Sequence, residues 1–189
     1  TILVCCAALA TAACAGDAWN AVPADRIRLG GVLGWRVDLT TTNNFMQLDL
    51  EETFFKPFRE KTAAGGFVGL GKLADAAVHL ARYSGKADVV ARKEAVIRAI
   101  LETQSPDGYL GYLRPESRMK ALWDLHDTGF LLQGLMSEYE EYGDKIALEA
   151  AKRGADYVLA HWKDMPANWE FDSITDREWT LGLGFGIAR

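Results

Sequence analysis

A chain of 189 residues that is 49% hydrophobic and 25% charged has the material for one well-packed domain, which excludes both intrinsic disorder and a membrane bundle. Its formal net charge of −5, with Lys and Arg scattered among acids, argues against a nucleic-acid-binding surface.

The first residues speak of address. Ile2 to Ala13 is almost wholly small or apolar, as long as the apolar core of a secretory signal and too short for a membrane span. Ala13-Cys14-Ala15 follows as a small-x-small cleavage site. No initiating Met or basic region precedes it, so residues 1–15 are read as a signal peptide entered partway along, and the protein as exported to the periplasm or beyond. The alternative is a lipid anchor at Cys14, because Thr11-Ala12-Ala13-Cys14 loosely resembles a lipoprotein site. Thr11 stands where an aliphatic residue is expected, which ranks this second. Cys5, Cys6 and Cys14 all lie in this segment, so cleavage after Ala15 leaves no cysteine for a disulfide or a Cys-type metal site.

Residues 16–25, with Ala18 to Pro23 at their centre, read as a linker, and residues 26–189 as one domain. Arg26 to Leu29 alternates polar and apolar, and Gly30, Gly31 and Gly34 predict extended chain or a short strand leading into Trp35. Thr42, Asn43 and Asn44 are N-cap candidates for a helix through Phe45, Leu48, Leu50, Phe54 and Phe55 that stops at Pro57. Gly65 to Gly71 is a glycine-rich loop without the Gly-Lys-Ser/Thr ending of a phosphate loop.

A helix is predicted from about Lys72 to Tyr83, with Leu73, Ala76, Ala77 and Leu80 on one face, and another from Ala87 to Thr103. The second turns Val89, Val96, Ile97, Ile100, Leu101 and the stem of Lys93 inward. Ser105-Pro106-Asp107-Gly108 is a turn. Two more helices are predicted from Asp127 to Tyr142 and from Lys145 to Trp162. Tyr83-Ser84-Gly85-Lys86 and Tyr142-Gly143-Asp144-Lys145 echo one another, each parting two amphipathic helices, which implies repeated helical hairpins. No stretch alternates with period two for long enough to build a sheet, so the fold class is all-α. The long connection from Gln104 to Leu125 suits a ring of hairpins whose loops gather over a pocket, rather than a solenoid.

That connection and its end hold Asp107, Tyr109, Tyr112, Arg114, Glu116, Arg118, Trp123, Asp124, His126 and Asp127. Aromatic rings beside carboxylates suit a sugar site: flat rings stack on sugar faces and carboxylates bind hydroxyls or move protons. Asp107, Tyr109, Trp123, Asp124 and His126 are the candidate substrate-binding residues. Each also has a plainer reading: Asp107 as a turn residue, Trp123 as a packing anchor, Asp124 or Asp127 as a helix cap, His126 as a helix-start hydrogen bonder. His79 reads as a satisfied core or edge histidine and His161 as a partner of helix-end carbonyls. Asp172, Asp176 and Glu178 have nothing local to single them out.

Several segments together resemble glycoside hydrolase family 127, the β-L-arabinofuranosidase-like enzymes. They are Gly34-Trp35-Arg36, Asn44 and Asp49, Phe54 to Arg59, Gly71-Lys72 with the helix to Tyr83-Ser84-Gly85, and Gln104 to Gly111 with its Pro-Asp-Gly-Tyr-Leu core. Trp123-Asp124, Gly134-Leu135 and Tyr139 to Asp144 continue the match, which runs from about Arg26 to Trp162. The resemblance implies an (α/α)6 barrel of helical hairpins, incomplete here, retaining hydrolysis of arabinofuranosides or related glycans, and export. It also places the acid/base glutamate, the cysteine nucleophile and a zinc site beyond Arg189. This chain is therefore expected to be an N-terminal part, inactive alone and without a cofactor of its own, zinc belonging to the full-length enzyme. Two departures stand out. Val68-Gly69-Leu70 occupies the place where members often carry a histidine before Gly-Lys, and His126 lies further from Gly134-Leu135 than is typical.

The leading expectation is an exported glycosidase acting on an oligosaccharide or glycan. Its rivals are a polysaccharide lyase, with Arg114 and Arg118 neutralising a uronate, and a non-catalytic helical-repeat carbohydrate-binding module. An open ring would leave apolar helix faces uncovered, which predicts self-association.

Overall fold

The computed structural model describes residues 22–120 and 122–162. The expected signal segment (residues 1–15), the three cysteines within it and the tail carboxylates Asp172, Asp176 and Glu178 lie outside the described residues. Within them the chain forms α1 (Gly31–Leu39), α2 (Lys56–Glu60), α3 (Leu70–Ser84), α4 (Ala87–Thr103), α5 (Leu122–Tyr142) and α6 (Lys145–His161), joined by short 3-10 and π-helical turns. Among the described residues no strand forms; a lone bridge pairs Ala63 with Leu113. The all-α expectation holds.

Helices α3/α4 and α5/α6 are hairpins closed by the two echoing turns, whose glycines Gly85 and Gly143 share left-handed φ values of 62° and 74°. At the second turn the Asp144 carboxylate accepts from the amides of Ile146 (2.8 Å) and Ala147 (3.3 Å), capping α6. The hairpins stack through α3 and α5, which run in parallel register: Gly71 meets Phe130 and Leu131, Ala74 meets Gly134, and the Asp75 carboxylate accepts from Gln133 (3.2 Å) and the Ser137 hydroxyl (2.6 Å). A Cβ on Gly71 would lie 2.2 Å from the backbone of Phe130 and Leu131, so the two helices touch backbone to backbone. Helix α4 packs along α3, and α6 along α5. One buried core runs through all four, built from Val78, Ala81, Val96, Ile100, Leu131, Leu135, Ala150 and Val158.

The limits of α4 are those the sequence predicts, and the other elements depart from expectation in instructive ways. No strand leads into Trp35: Gly31 and Gly34 lie inside α1, because the chain at Leu29 doubles back so closely that a Cβ on Gly34 would sit 2.1 Å from the Leu29 carbonyl. The helix predicted from Thr42 is broken into a π-helical turn Thr40–Asn44, a 3-10 turn Phe45–Gln47 and a π-helical turn Glu51–Phe55. Asn44 caps nothing with its side chain, and the Thr42 hydroxyl instead donates back to the Asp38 carbonyl at 2.8 Å. Pro57 opens α2 rather than ending a helix, a position where its missing amide costs nothing. In α3 the buried face is Leu70, Gly71, Ala74, Ala77, Val78 and Ala81, while Ala76 is exposed. Helix α5 starts at Leu122, five residues before the predicted Asp127, so Trp123, Asp124, His126 and Asp127 stand in its first turns rather than in the preceding loop. Val32, Leu33 and Trp35 on α1 are exposed. No helix among the described residues is long and apolar enough to cross a membrane.

Candidate functional site

Helix α3 begins beside the third turn of α5, at Phe130 and Leu131, and two connections meet over this region. One is residues 61–69, between α2 and α3; the other follows α4. The bridge at Ala63 and Leu113, with the Arg114 amide donating to the Ala63 carbonyl at 2.9 Å, ties them together. Lys61 adds a second tie, its ammonium donating to the Gly111 carbonyl at 2.7 Å. Burial, helped by the nearby Arg118 guanidinium, holds the Lys61 ammonium down to a pKa of about 8.

Positions 123, 126 and 130 share one face of α5, and 124 and 127 share another. On the first face Trp123 and His126 meet edge to face at 5.5 Å, and Phe130 follows 4.9 Å from His126. Phe67, from the 61–69 connection, closes the cluster at 5.2 Å from Trp123 and 5.5 Å from His126. Lys72 lies over Phe67 (4.9 Å) and Phe130 (4.5 Å). Phe67 remains 43% exposed while His126 is buried, so the cluster shows one open aromatic edge to solvent.

The second face holds two buried carboxylates. Asp124 accepts from the Tyr109 hydroxyl at 2.5 Å and from the Met119 amide at 2.7 Å. The same Tyr109 oxygen accepts from the Leu113 amide at 3.2 Å. Asp124 and Tyr109 are each 1% exposed, and burial raises both pKa values, Tyr109 further because the Asp124 carboxylate faces it. Asp127 accepts from the amides of Val68 (3.2 Å) and Gly69 (3.3 Å), clasping the end of the 61–69 connection to α5. Burial pushes its carboxyl up to about 6, with Asp124 adding to the rise and the two amides and Lys72 opposing it.

Of the five candidates, Trp123 and His126 come together in the ring cluster, and Tyr109 and Asp124 come together beneath it. Asp107 stands apart in its turn, where its carboxylate accepts from the Tyr109 amide at 3.1 Å and from the Arg118 guanidinium at 3.2 Å. Tyr109 and Asp124 face each other, with both polar ends engaged inside the core, and so brace the connection from behind.

Arg118 lies 4.1 Å over the Tyr109 ring, and Arg114 pairs with Glu116 at 3.1 Å, so both guanidiniums have partners within the chain. His161 meets the Tyr157 carbonyl at 2.8 Å, as a helix-end histidine should. His79 is an edge residue, 3.5 Å from Asp75 and 3.7 Å from Glu141. Sequence reasoning missed Phe67, Lys61 and the clasping role of Asp127. An aromatic residue set between Gly65-Gly66 and Gly69 was the available signal for the first.

Among the described residues no three His, Cys, Asp or Glu side chains are grouped to hold a metal. Asp75, beside His79, is already taken by Ser137 and Gln133, and Glu141 by Arg82.

A family model described as the β-L-arabinofuranosidase GH127 catalytic domain matches residues 20–172. No curated protein and no solved structure matches the chain.

Proposed function

The chain belongs to the β-L-arabinofuranosidase GH127 family, and from that premise we propose that the heads of α3 and α5 form one wall of the sugar site of an exported glycosidase. Membership makes the protein a glycoside hydrolase of arabinofuranosidase type, with a glycan as substrate. The observation that carries the placement is the half-exposed Phe67 ring packed on Trp123 and His126. A flat apolar edge with one imidazole in it is the surface on which a furanose can lay its C–H face while its hydroxyls find a polar neighbour. Phe67 and Trp123 are the sugar-contacting residues of this reading, with His126 packed behind them. Asp107, Tyr109 and Asp124 serve as its support. The apolar run Ile2–Ala13 and the Ala13-Cys14-Ala15 site support export, with cleavage after Ala15 favoured over lipidation at Cys14.

The test is steady-state hydrolysis of p-nitrophenyl β-L-arabinofuranoside by the full-length protein. Phe67→Ala and Trp123→Ala should each raise KM about 2- to 13-fold, the range a lost ring contact of about 0.5–1.5 kcal/mol implies. Unchanged KM in both variants would remove the aromatic edge from the sugar site. Mass spectrometry of the mature N-terminus from the native host checks export: a start at Gly16 is expected, and an intact residue 1–15 segment would count against it.

A further inference from the structure

Phe67 joins the ring cluster from outside α5, on a connection whose two ends are held by unlike means. Its start is tied by Lys61 to the Gly111 carbonyl at 2.7 Å and by the Arg114 amide to the Ala63 carbonyl at 2.9 Å. Between this start and the ring stand Ala64, Gly65 and Gly66, all exposed. Gly66 takes a φ of +113°, a conformation few other residues adopt. The far end is held by the Asp127 carboxylate, which gives one oxygen to each of two amides. Val68 donates to Oδ2 at 3.2 Å and Gly69 to Oδ1 at 3.3 Å.

Those two amides follow Phe67 directly in the chain. The ring also folds back over Gly69, where a Cβ would lie 3.3 Å from the ring's Cζ. The backbone that Asp127 holds is therefore the backbone on which the ring rests. Trp123 and His126, which the ring packs against at 5.2 and 5.5 Å, precede Asp127 by four and one residues on the same helix. Asp127 is buried, so solvent does not compete for the two amides. Facing its carboxylate are Asp124 from α5 itself, Lys72 from α3 and the Tyr112 phenol from the connection after α4. Ionised, the group offers an acceptor to each amide; protonated, it keeps one carbonyl oxygen and turns a hydroxyl towards the other donor.

We infer that Asp127 is a positioning residue for the aromatic edge: by engaging the Val68 and Gly69 amides with separate oxygens, it sets the Phe67 ring where the glycan meets it. Asp127 touches no sugar and acts through Phe67. Loss of either amide bond leaves the ring held by packing alone on an exposed glycine-rich segment, so affinity falls while turnover of bound substrate does not. An asparagine and a protonated aspartate share the same defect, one accepting oxygen in place of two. Protonating Asp127 therefore reproduces the effect of replacing it. Because burial pushes its carboxyl up to about 6, the wild type passes between the two forms in mildly acidic solution. The inference rests on the glycosidase reading above, and adds to it the residue that holds the aromatic edge and the pH range in which the edge is held.

The experiment takes the full-length protein as wild type, Asp127→Asn, Phe67→Ala and the double variant. It measures KM and kcat for p-nitrophenyl β-L-arabinofuranoside at about pH 7.5 and about pH 5, either side of the Asp127 transition. At the higher pH Asp127→Asn should raise KM about 2- to 10-fold with kcat within about 2-fold. At the lower pH the variant and wild-type KM values should converge. In the Phe67→Ala background Asp127→Asn should change KM by less than about 1.5-fold, since the ring it acts through is gone. An unchanged KM in Asp127→Asn, an effect that persists without Phe67, or a KM ratio independent of pH overturns the positioning role and leaves the glycosidase standing. Should Asp127→Asn fail to fold, wild type and Phe67→Ala decide: their KM ratio should narrow at the lower pH, and a constant ratio overturns the role. An unchanged KM in Phe67→Ala sinks the aromatic edge and this inference together. If the wild type hydrolyses nothing, the glycosidase reading fails, and amide hydrogen exchange then judges the clasp: equal protection of residues 61–69 in wild type and Asp127→Asn overturns it.

Discussion

Helix α5 buries carboxylates at both of its ends and holds them in different ways. Towards its C-terminus Glu138 meets the Lys93 ammonium of α4 at 2.6 Å, and that ammonium also lies 3.9 Å over the Tyr142 ring. Towards its N-terminus Asp124 and Asp127 form no salt bridge with any described residue and are held by a phenol and three backbone amides. An ion pair across two helices fixes the orientation of both side chains, and so acts as scaffold, although burial still pushes the Glu138 carboxyl up against the pull of Lys93. An acid held by neutral donors keeps a movable proton balance and leaves its surroundings sensitive to whatever arrives. The scaffold end lies among the packed helices, while the adjustable end lies under the aromatic edge.

The contrast can be broken first at the scaffold end, where the effect is largest. Glu138→Ala strands a buried ammonium and should cost about 3–5 kcal/mol in urea unfolding. The double change Lys93→Met with Glu138→Leu should recover most of it, to within about 1–2 kcal/mol of wild type. A mild single-variant loss would mean that the pair is not the scaffold described.

At the adjustable end the expected signature is pH dependence. The folded pKa of Asp127, about 6 against an ordinary 3.8, means that between roughly pH 4 and 6 the native state holds a proton that the unfolded chain has released. The contribution of this group is therefore complete below about pH 4 and is lost as pH rises through 6, a difference of up to about 3 kcal/mol. Subtracting the stability curve of Asp127→Asn from that of wild type should isolate this fall. A flat difference across pH 4–6 would show that the carboxyl is not so perturbed.

Smaller effects sharpen the picture. Tyr109→Phe leaves an Asp124 oxygen and the Leu113 amide without a partner, and should lower the unfolding free energy by about 2 kcal/mol. Its kcat should be unchanged where the protein remains folded; a loss of kcat without a loss of stability would return Tyr109 to the reaction itself. Asp107→Ala gives up one turn bond and one half-exposed pairing with Arg118, for about 0.5–1 kcal/mol by thermal melting.

Hairpin architecture was legible in sequence because its determinants are local. Amphipathic spacing set α4 from Ala87 to Thr103, and the Gly85 and Gly143-Asp144 turns announced themselves by residue type. Elements governed by distant contacts were not legible. Gly34 reads as a helix breaker until Leu29 folds against it. Asp127 reads as an N-cap until its carboxylate is seen serving the amides of Val68 and Gly69, 59 and 58 residues away. Trp123 and His126 could be nominated by composition, whereas Phe67, which joins them from the 61–69 connection, was signalled only by an aromatic residue set among glycines. The pairing of Tyr109 with Asp124, 15 residues apart, had no such signal, and it engages two nominated residues with each other. The π-helical turns at Thr40–Asn44 and Glu51–Phe55 left no recognisable mark in residue type.

The backbone contact at Gly71 carries a mechanical consequence. Helices separated by interlocking side chains can slide or roll by exchanging rotamers, because that layer is compliant. Here α3 and α5 have no such layer between Gly71 and Phe130-Leu131, so the pair behaves as a single stiff beam. The 61–69 connection at its head is held from outside the beam, by the bridge to Leu113, the Lys61 tie to Gly111 and the Asp127 clasp. Divergence between related proteins should follow the same division, with the beam preserved and new preferences for sugars acquired by exchanging the fittings at its tip.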